Sequence, residues 1–175
     1  MTAGLEAQLK AYVTRHHQDG ILLDTNVLLL LLLANFQPLL VGGKRLEKYA
    51  LEDGLLLTNF VRLFSRILTT PHILAETSNL ASQALSGKLK TEFFSTLFPL
   101  FCNDSPEALH SCEVKEAGVD RPLFIRLGLT DASVVASLDA TRLLLTDDLD
   151  LYLAAIGKGI PAINFTHMRE AAGLL

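Results

Sequence analysis

Tryptophan is absent from this 175-residue chain, and cysteine occurs only twice, as Cys102 and Cys112. Two cysteines supply neither a disulfide framework nor the paired spacing of a zinc motif, so they are read as reduced thiols of a cytoplasmic protein. A basic excess is missing too. Fifteen Lys and Arg stand against 19 Asp and Glu, for a net charge of −4 and a pI of about 5.7. That balance excludes a protein that coats nucleic acid through a broad basic face, but not a site whose acids are offset by bound cations. Nor is there a membrane-length apolar run. The densest, Val27 to Ala34, covers about a third of the roughly 20 residues a spanning helix needs, and Asp24, Asn26, Asn35 and Gln37 flank it. The opening stretch MTAGLEAQLKAYVTRHHQDG is polar and helical in character rather than a signal peptide. What the chain does have is apolar content, 50% of residues with mean hydropathy +0.35, enough for a sizeable core. Without repeats, low-complexity tracts or a Pro/Ser-rich linker, residues 1–175 are expected to form one domain. Within it, residues 1–19 make an N-terminal helical extension and residues 20–166 the core.

Apolar runs bounded by turn and cap residues organise that core. Ile21-Leu22-Leu23 follows Gly20 without polar alternation, as in a strand buried on both faces of a parallel sheet. The leucines after Asn26 predict a buried helix. After a looser, charged segment, a helix is expected over Thr58 to Phe64, with Val61 and Phe64 inward. A strand is then expected over Arg66–Thr69. Thr70-Pro71 is a helix start, with Thr as cap and Pro in the first turn, and that helix runs through His72, Glu76 and Leu80. Lys88 to Leu100 predicts another. Cys102 to Arg126 is the least readable stretch, with a possible strand over Leu109 to Val114. Thr130 is expected to cap a helix beginning at Asp131, with Val134, Val135 and Leu138 buried. Arg142–Thr146 predicts a strand, Ala154–Gly157 the end of a short helix, and Ile160–Phe165 a last strand. The alternation indicates an α/β fold with a central, mainly parallel sheet between helical layers.

This reading places acids together. Asp24 directly follows the first strand, and Asp147, Asp148 and Asp150 follow the strand at Leu143–Leu145. Open parallel sheets bind ligands beyond the carboxyl ends of their strands, so both groups point to one crevice. Asp131 in a first helical turn and Glu76 early in another helix face the same end. Each acid also has a structural role available: Asp131 could complement a helix dipole, the aspartates at 147–150 could form a solvated turn, and Glu76 could sit exposed. Asp24 is harder to place without a partner, because a carboxylate among leucines is costly to bury unless paired, hydrogen-bonded or bound to metal.

Four segments, LLDTNVLL around Asp24, TPHILAETSNL around Glu76, LGLTDASVVASL around Asp131 and LLLTDDLDLY around Asp148, resemble in order the signature segments of PIN-domain nucleases. Among these the chain is similar to the toxin ribonucleases of the VapC group. The likeness spans about Ile21 to Phe165. It implies a three-layer α/β/α fold and an acidic pocket for one or two Mg²⁺ or Mn²⁺ ions. By position, Asp24, Glu76, Asp131 and Asp148 become the catalytic and metal-holding set, with Asp150 as a further metal acid. Asn26 and Thr146 match polar positions that order the carboxylates, and Asp147 is a supporting residue that a one-residue slip would exchange with Asp148.

The implied activity is metal-dependent endoribonucleolytic hydrolysis of RNA. The chemistry requires such acids, since Mg²⁺ and Mn²⁺ prefer oxygen ligands and can activate water against phosphorus. An antitoxin protein as partner and a homodimer are further expectations, although the segment Phe36–Arg66 is longer than such toxins have between their first two acids. The alternatives are a PIN-like nucleic-acid or protein binding module without turnover, whose mark would be a missing acid, and a structure-specific DNA nuclease. Lys44, Arg45 and Lys48, with Lys88, Lys90, Arg121 and Arg126, are candidate phosphate contacts or ordinary surface charge. His72 lies one turn before Glu76. No nucleophile elbow, P-loop or dinucleotide fingerprint is present.

Overall fold

The computed structural model describes residues 3–101, 109–112 and 120–175. Among these residues, five short strands form one sheet: β1 (Ile21–Leu23), β2 (Ile67–Thr69), β3 (His110–Ser111), β4 (Leu143–Thr146) and β5 (Ala162–Asn164). Their order is β3-β2-β1-β4-β5 and every pairing is parallel. β1 lies at the centre, Ile21 opposite Ile67 on one side and Leu143 on the other. Every residue of β1 and β4 is buried, which explains why their sequences are unbroken apolar runs rather than alternating ones. Gly20 enters β1 with φ +94°, and a Cβ there would meet the Arg66 carbonyl oxygen at 2.8 Å, so only glycine lets the chain pass so close to β2.

Among the described residues, eight helices complete a three-layer α/β/α fold: α1 (Ala3–His16), α2 (Thr25–Phe36), α3 (Leu51–Val61), α4 (Pro71–Ala84), α5 (Gly87–Phe101), α6 (Arg121–Ser137), α7 (Leu149–Gly157) and α8 (Phe165–Ala171). Helix α2 is the core helix, with nine consecutive or near-consecutive buried positions from Thr25 to Ala34. The N-terminal extension docks rather than dangles. Leu9, Tyr12 and Val13 pack on the core, and His16, almost fully buried, has Nδ1 2.6 Å from the Thr141 carbonyl oxygen. No helix among the described residues is long and apolar enough to cross a membrane.

Several sequence expectations are corrected. Helix α3 starts at Leu51, seven residues before the expected Thr58, because the Asp53 side chain accepts the Ala50 N–H at 2.8 Å and so supplies the start signal. Helix α6 starts at Arg121 behind an Asp120 cap and breaks at Gly128 (φ 80°, ψ −179°). Gly128 therefore does the work assigned to a Thr130 cap, since only glycine holds that conformation without strain. The last strand ends at Asn164, not Phe165, because the Asn164 side chain accepts the His167 N–H at 3.2 Å and caps α8. Of the strand expected at Leu109–Val114, His110–Ser111 are strand among the described residues. Val114 and Cys102 lie outside the described residues.

Helix α8 is tied to the first turn of α3 by a buried ion pair and to the charged segment before it by a hydrogen bond. Arg169 Nε donates to Asp53 Oδ1 at 2.8 Å and Nη2 to the Lys48 carbonyl at 2.9 Å, with Asp53 fully buried. Removing one partner of such a pair strands the other charge. Arg169→Ala should cost about 3–5 kcal/mol in urea unfolding, and a loss below about 1 kcal/mol would show that water or a rearranged neighbour replaces the guanidinium.

Candidate functional site

In the strand order β3-β2-β1-β4-β5, successive crossovers run one way from β1 and then reverse, so the switch point lies between β1 and β4. Ligand crevices form there, beyond the strand carboxyl ends. Asp24 follows β1 and Asp147-Asp148 follow β4, and the sequence thus places acids on both lips of the crevice.

Asp24 is the N-cap of α2 and is 4% exposed. Its Oδ1 accepts the Val27 N–H at 2.8 Å. Its Oδ2 accepts hydrogen bonds from the Thr146 hydroxyl and from the Asp147 N–H at 3.1 Å. The carboxylate is thereby locked to α2 and to the end of β4. Thr146 also accepts the Asp148 N–H at 2.9 Å, so one buried hydroxyl orders both acids. Asp148 in turn caps α7 through the Leu151 N–H at 3.0 Å. Glu76, exposed on α4, accepts the Thr25 hydroxyl through Oε2 at 3.1 Å. Asp131 sits, half-buried, in the turn of α6 that follows the Gly128 break.

Asp24, Glu76, Asp131 and Asp148 line one cavity of about 340 Å³, with Asn26 and the Gly128–Thr130 backbone segment on its wall. The structure brings these four acids, from four separate parts of the chain, to one opening. It does not bring in two others. Asp150 is exposed in the first turn of α7 and is not part of the cavity lining. The Asp147 side chain turns the other way, into contacts with Lys48 Nζ and Tyr49 Oη. The exposed Lys48 is thus paired with Asp147 at the surface, and Arg45 reaches Gln83. Sequence reasoning missed Thr25 and Tyr49. Thr25 stands between the two flagged residues Asp24 and Asn26, so its position was the available signal, whereas nothing local marks Tyr49. A larger groove of about 710 Å³ is lined by Leu31, Phe36, Phe93, Leu97 and other mainly apolar residues, with no carboxylate among the described residues, which sets it apart from the acid chemistry.

The electrostatics follow from burial first and from neighbouring charge second. Burial and then the neighbouring Asp147 raise the Asp24 carboxyl well above the ordinary range, with the hydrogen bonds from Thr146, Val27 and Asp147 opposing the rise. Asp131 is pushed up to about 6, by burial first and then by Asp148 and Glu76. Burial and Asp147 also raise the Tyr49 phenol, keeping it a hydrogen-bond donor. The wall offers hard oxygen donors and an excess of negative charge, a donor set that suits a hydrated Mg²⁺ or Mn²⁺. The acids do not stand as a closed coordination cluster: among the described residues no three His, Cys, Asp or Glu are grouped tightly enough to hold an ion as they are placed. Comparisons with protein-family models, with curated proteins and with solved structures give no match to this chain.

The raised carboxyls make stability depend on pH. A group whose folded pKa exceeds its unfolded value stabilises the fold at low pH, and that contribution is lost as pH rises through the folded value. For Asp131 the loss falls between about pH 4 and pH 7, around its folded value of about 6. A shift of this size is worth about 3 kcal/mol at full weight, reduced to about 1–2 kcal/mol for a group that keeps part of its surface in water. In EDTA, Asp131→Asn should therefore be more stable than wild type at pH 8 by about 1–2 kcal/mol and equal to it near pH 4. Equal stability at both values would show that Asp131 is not electrostatically crowded.

Proposed function

We propose that the chain is a Mg²⁺- or Mn²⁺-dependent endoribonuclease that hydrolyses RNA phosphodiester bonds at the acid-lined cavity. The observation that carries the reading is the convergence of Asp24, Glu76, Asp131 and Asp148 on one opening at the switch point of a parallel sheet. The ordered resemblance of the segments around these residues to PIN-domain nucleases supports the same assignment. Its RNA substrate is carried over from that likeness.

Asp24, Glu76, Asp131 and Asp148 would hold the cation, and its wall position would let Asn26 assist. A divalent ion bound there supplies Lewis acidity toward a phosphoryl oxygen and eases deprotonation of water. The chain's own contribution is positional. Thr146 and the Val27 and Asp147 amides fix the plane of the Asp24 carboxylate. Thr25 restrains Glu76, and the Leu151 amide with Thr146 restrains Asp148. The open side of the cavity admits the phosphodiester, while the Gly128 break sets Asp131 at its wall.

Two partner readings accompany this one. An antitoxin protein follows from the resemblance alone. Self-association gains support from Leu149, Leu153 and Ile156, which are exposed at helical spacing along α7. A sedimentation profile of a monomer at micromolar concentration would remove it.

Labelled single-stranded RNA and DNA, incubated with Mn²⁺, Mg²⁺ or EDTA, test the activity. Cleavage of RNA should require the metal and fall by about 100-fold or more in Asp24→Asn and Asp131→Asn. Cutting in EDTA, or full activity in both variants, would overturn the mechanism. Absence of cutting on any substrate would favour the binding module.

A further inference from the structure

We propose that Lys48 and Tyr49 form a clamp that positions Asp24 and Asp148 by seizing the intervening acid, Asp147. The inference deepens the reading of the acid-lined cavity and rests on it for its functional meaning. Lys48 was a candidate phosphate contact and Tyr49 was unmarked in the sequence, yet both converge on one carboxylate oxygen, Oδ2 of Asp147. The Asp147 side chain is only 3% exposed although its Lys48 partner is 54% exposed. Its other oxygen, Oδ1, is buried without a hydrogen-bond partner among the described residues. A carboxylate so placed depends on the cation and phenol that hold it, because a buried charge without compensation is expensive.

The clamp is itself anchored. Tyr49 is buried with its ring 6.3 Å from Phe165, and the guanidinium of Arg169 lies 5.3 Å from the ring centre. Arg169 also holds the Lys48 carbonyl and Asp53. Helix α8 and the start of α3 thus brace the segment that grips Asp147.

Two consequences follow for the cavity. The Asp147 N–H donates to Asp24 Oδ2 at 3.1 Å, so fixing the Asp147 side chain fixes a donor to the most buried acid. Neighbouring residues in this turn leave it in different directions. With Asp147 held on the Lys48 side, Asp148 caps α7 and lines the cavity. The clamp therefore selects which of two adjacent acids belongs to the site. Lys48 and Tyr49 are positioning residues, acting through Asp147.

The test uses the full chain with Lys48→Met, Lys48→Arg, Tyr49→Phe, Asp147→Asn and the Lys48→Met/Asp147→Asn double variant. One readout is hydrogen exchange at the Asp147 amide, measured by NMR without metal. The other is Mn²⁺ affinity measured by calorimetry. Lys48→Met and Tyr49→Phe should speed exchange at that amide about tenfold while core amides of β1 stay protected. They should also weaken Mn²⁺ binding about tenfold, the size of effect seen when a partner orienting a ligand is removed. Lys48→Arg should restore both, and adding Lys48→Met to Asp147→Asn should change neither further. Wild-type exchange at Asp147 in Lys48→Met and Tyr49→Phe would overturn the clamp, as would a Lys48→Met effect that persists in full in the Asp147→Asn background. If the wild type binds no Mn²⁺, the metal reading fails while exchange alone decides the clamp.

Discussion

A carboxylate placed where the chain has almost no water left is the constraint around which this structure is arranged. Asp24 lies between β1 and α2, both buried along their length, and a carboxylate in such surroundings must be hydrogen-bonded or compensated. Three donors meet the need, from the first turn of α2, the end of β4 and the residue after it. Because these belong to separate elements, satisfying Asp24 also docks α2 against the β4–α7 turn. The sheet places β1 beside β4, which makes this geometry available.

Once Asp24 is fixed, the remaining acids are held by short polar contacts rather than by one another. Thr146 serves Asp24 and Asp148 at once, Thr25 serves Glu76, and Asp147 is drawn off by Lys48 and Tyr49. Among the described residues, the negative charge left in the cavity finds no lysine or arginine in its lining. Asp131 is raised by burial first and then by the neighbouring Asp148 and Glu76. A cation entering from solvent would relieve a repulsion that the protein leaves in place, whereas the acids of an ordinary surface turn would simply spread into water.

Much of this was legible in the residues. The apolar runs at Ile21–Leu23 and Leu143–Leu145 identify buried parallel strands because such strands cannot alternate, and the acids that follow them are placed at the crevice by the same argument. Thr70-Pro71 marks the start of α4, where the Thr70 side chain does accept the Ile73 N–H. What local sequence could not convey were features that depend on distant partners. The α3 start relies on Asp53, whose second oxygen is fixed by Arg169 from the other end of the chain. The α6 break relies on a glycine conformation rather than on the threonine two residues later. The choice between Asp147 and Asp148 was open in the sequence, since either could have faced the crevice, and it is Tyr49 and Lys48, about a hundred residues earlier, that take Asp147 away. Asp150, equally acidic and nearby, is carried by the turn of α7 away from the cavity lining.

The central claim is that the cavity bounded by Asp24, Glu76, Asp131 and Asp148 is a divalent-cation site. Anomalous diffraction at the manganese edge, from crystals of the wild-type protein grown or soaked with Mn²⁺, addresses it most directly. The account predicts a peak inside that cavity, contacted by these carboxylates and lost in crystals of Asp131→Asn. A cavity without anomalous density at saturating Mn²⁺, or manganese bound only at Asp147 or Asp150, would contradict it.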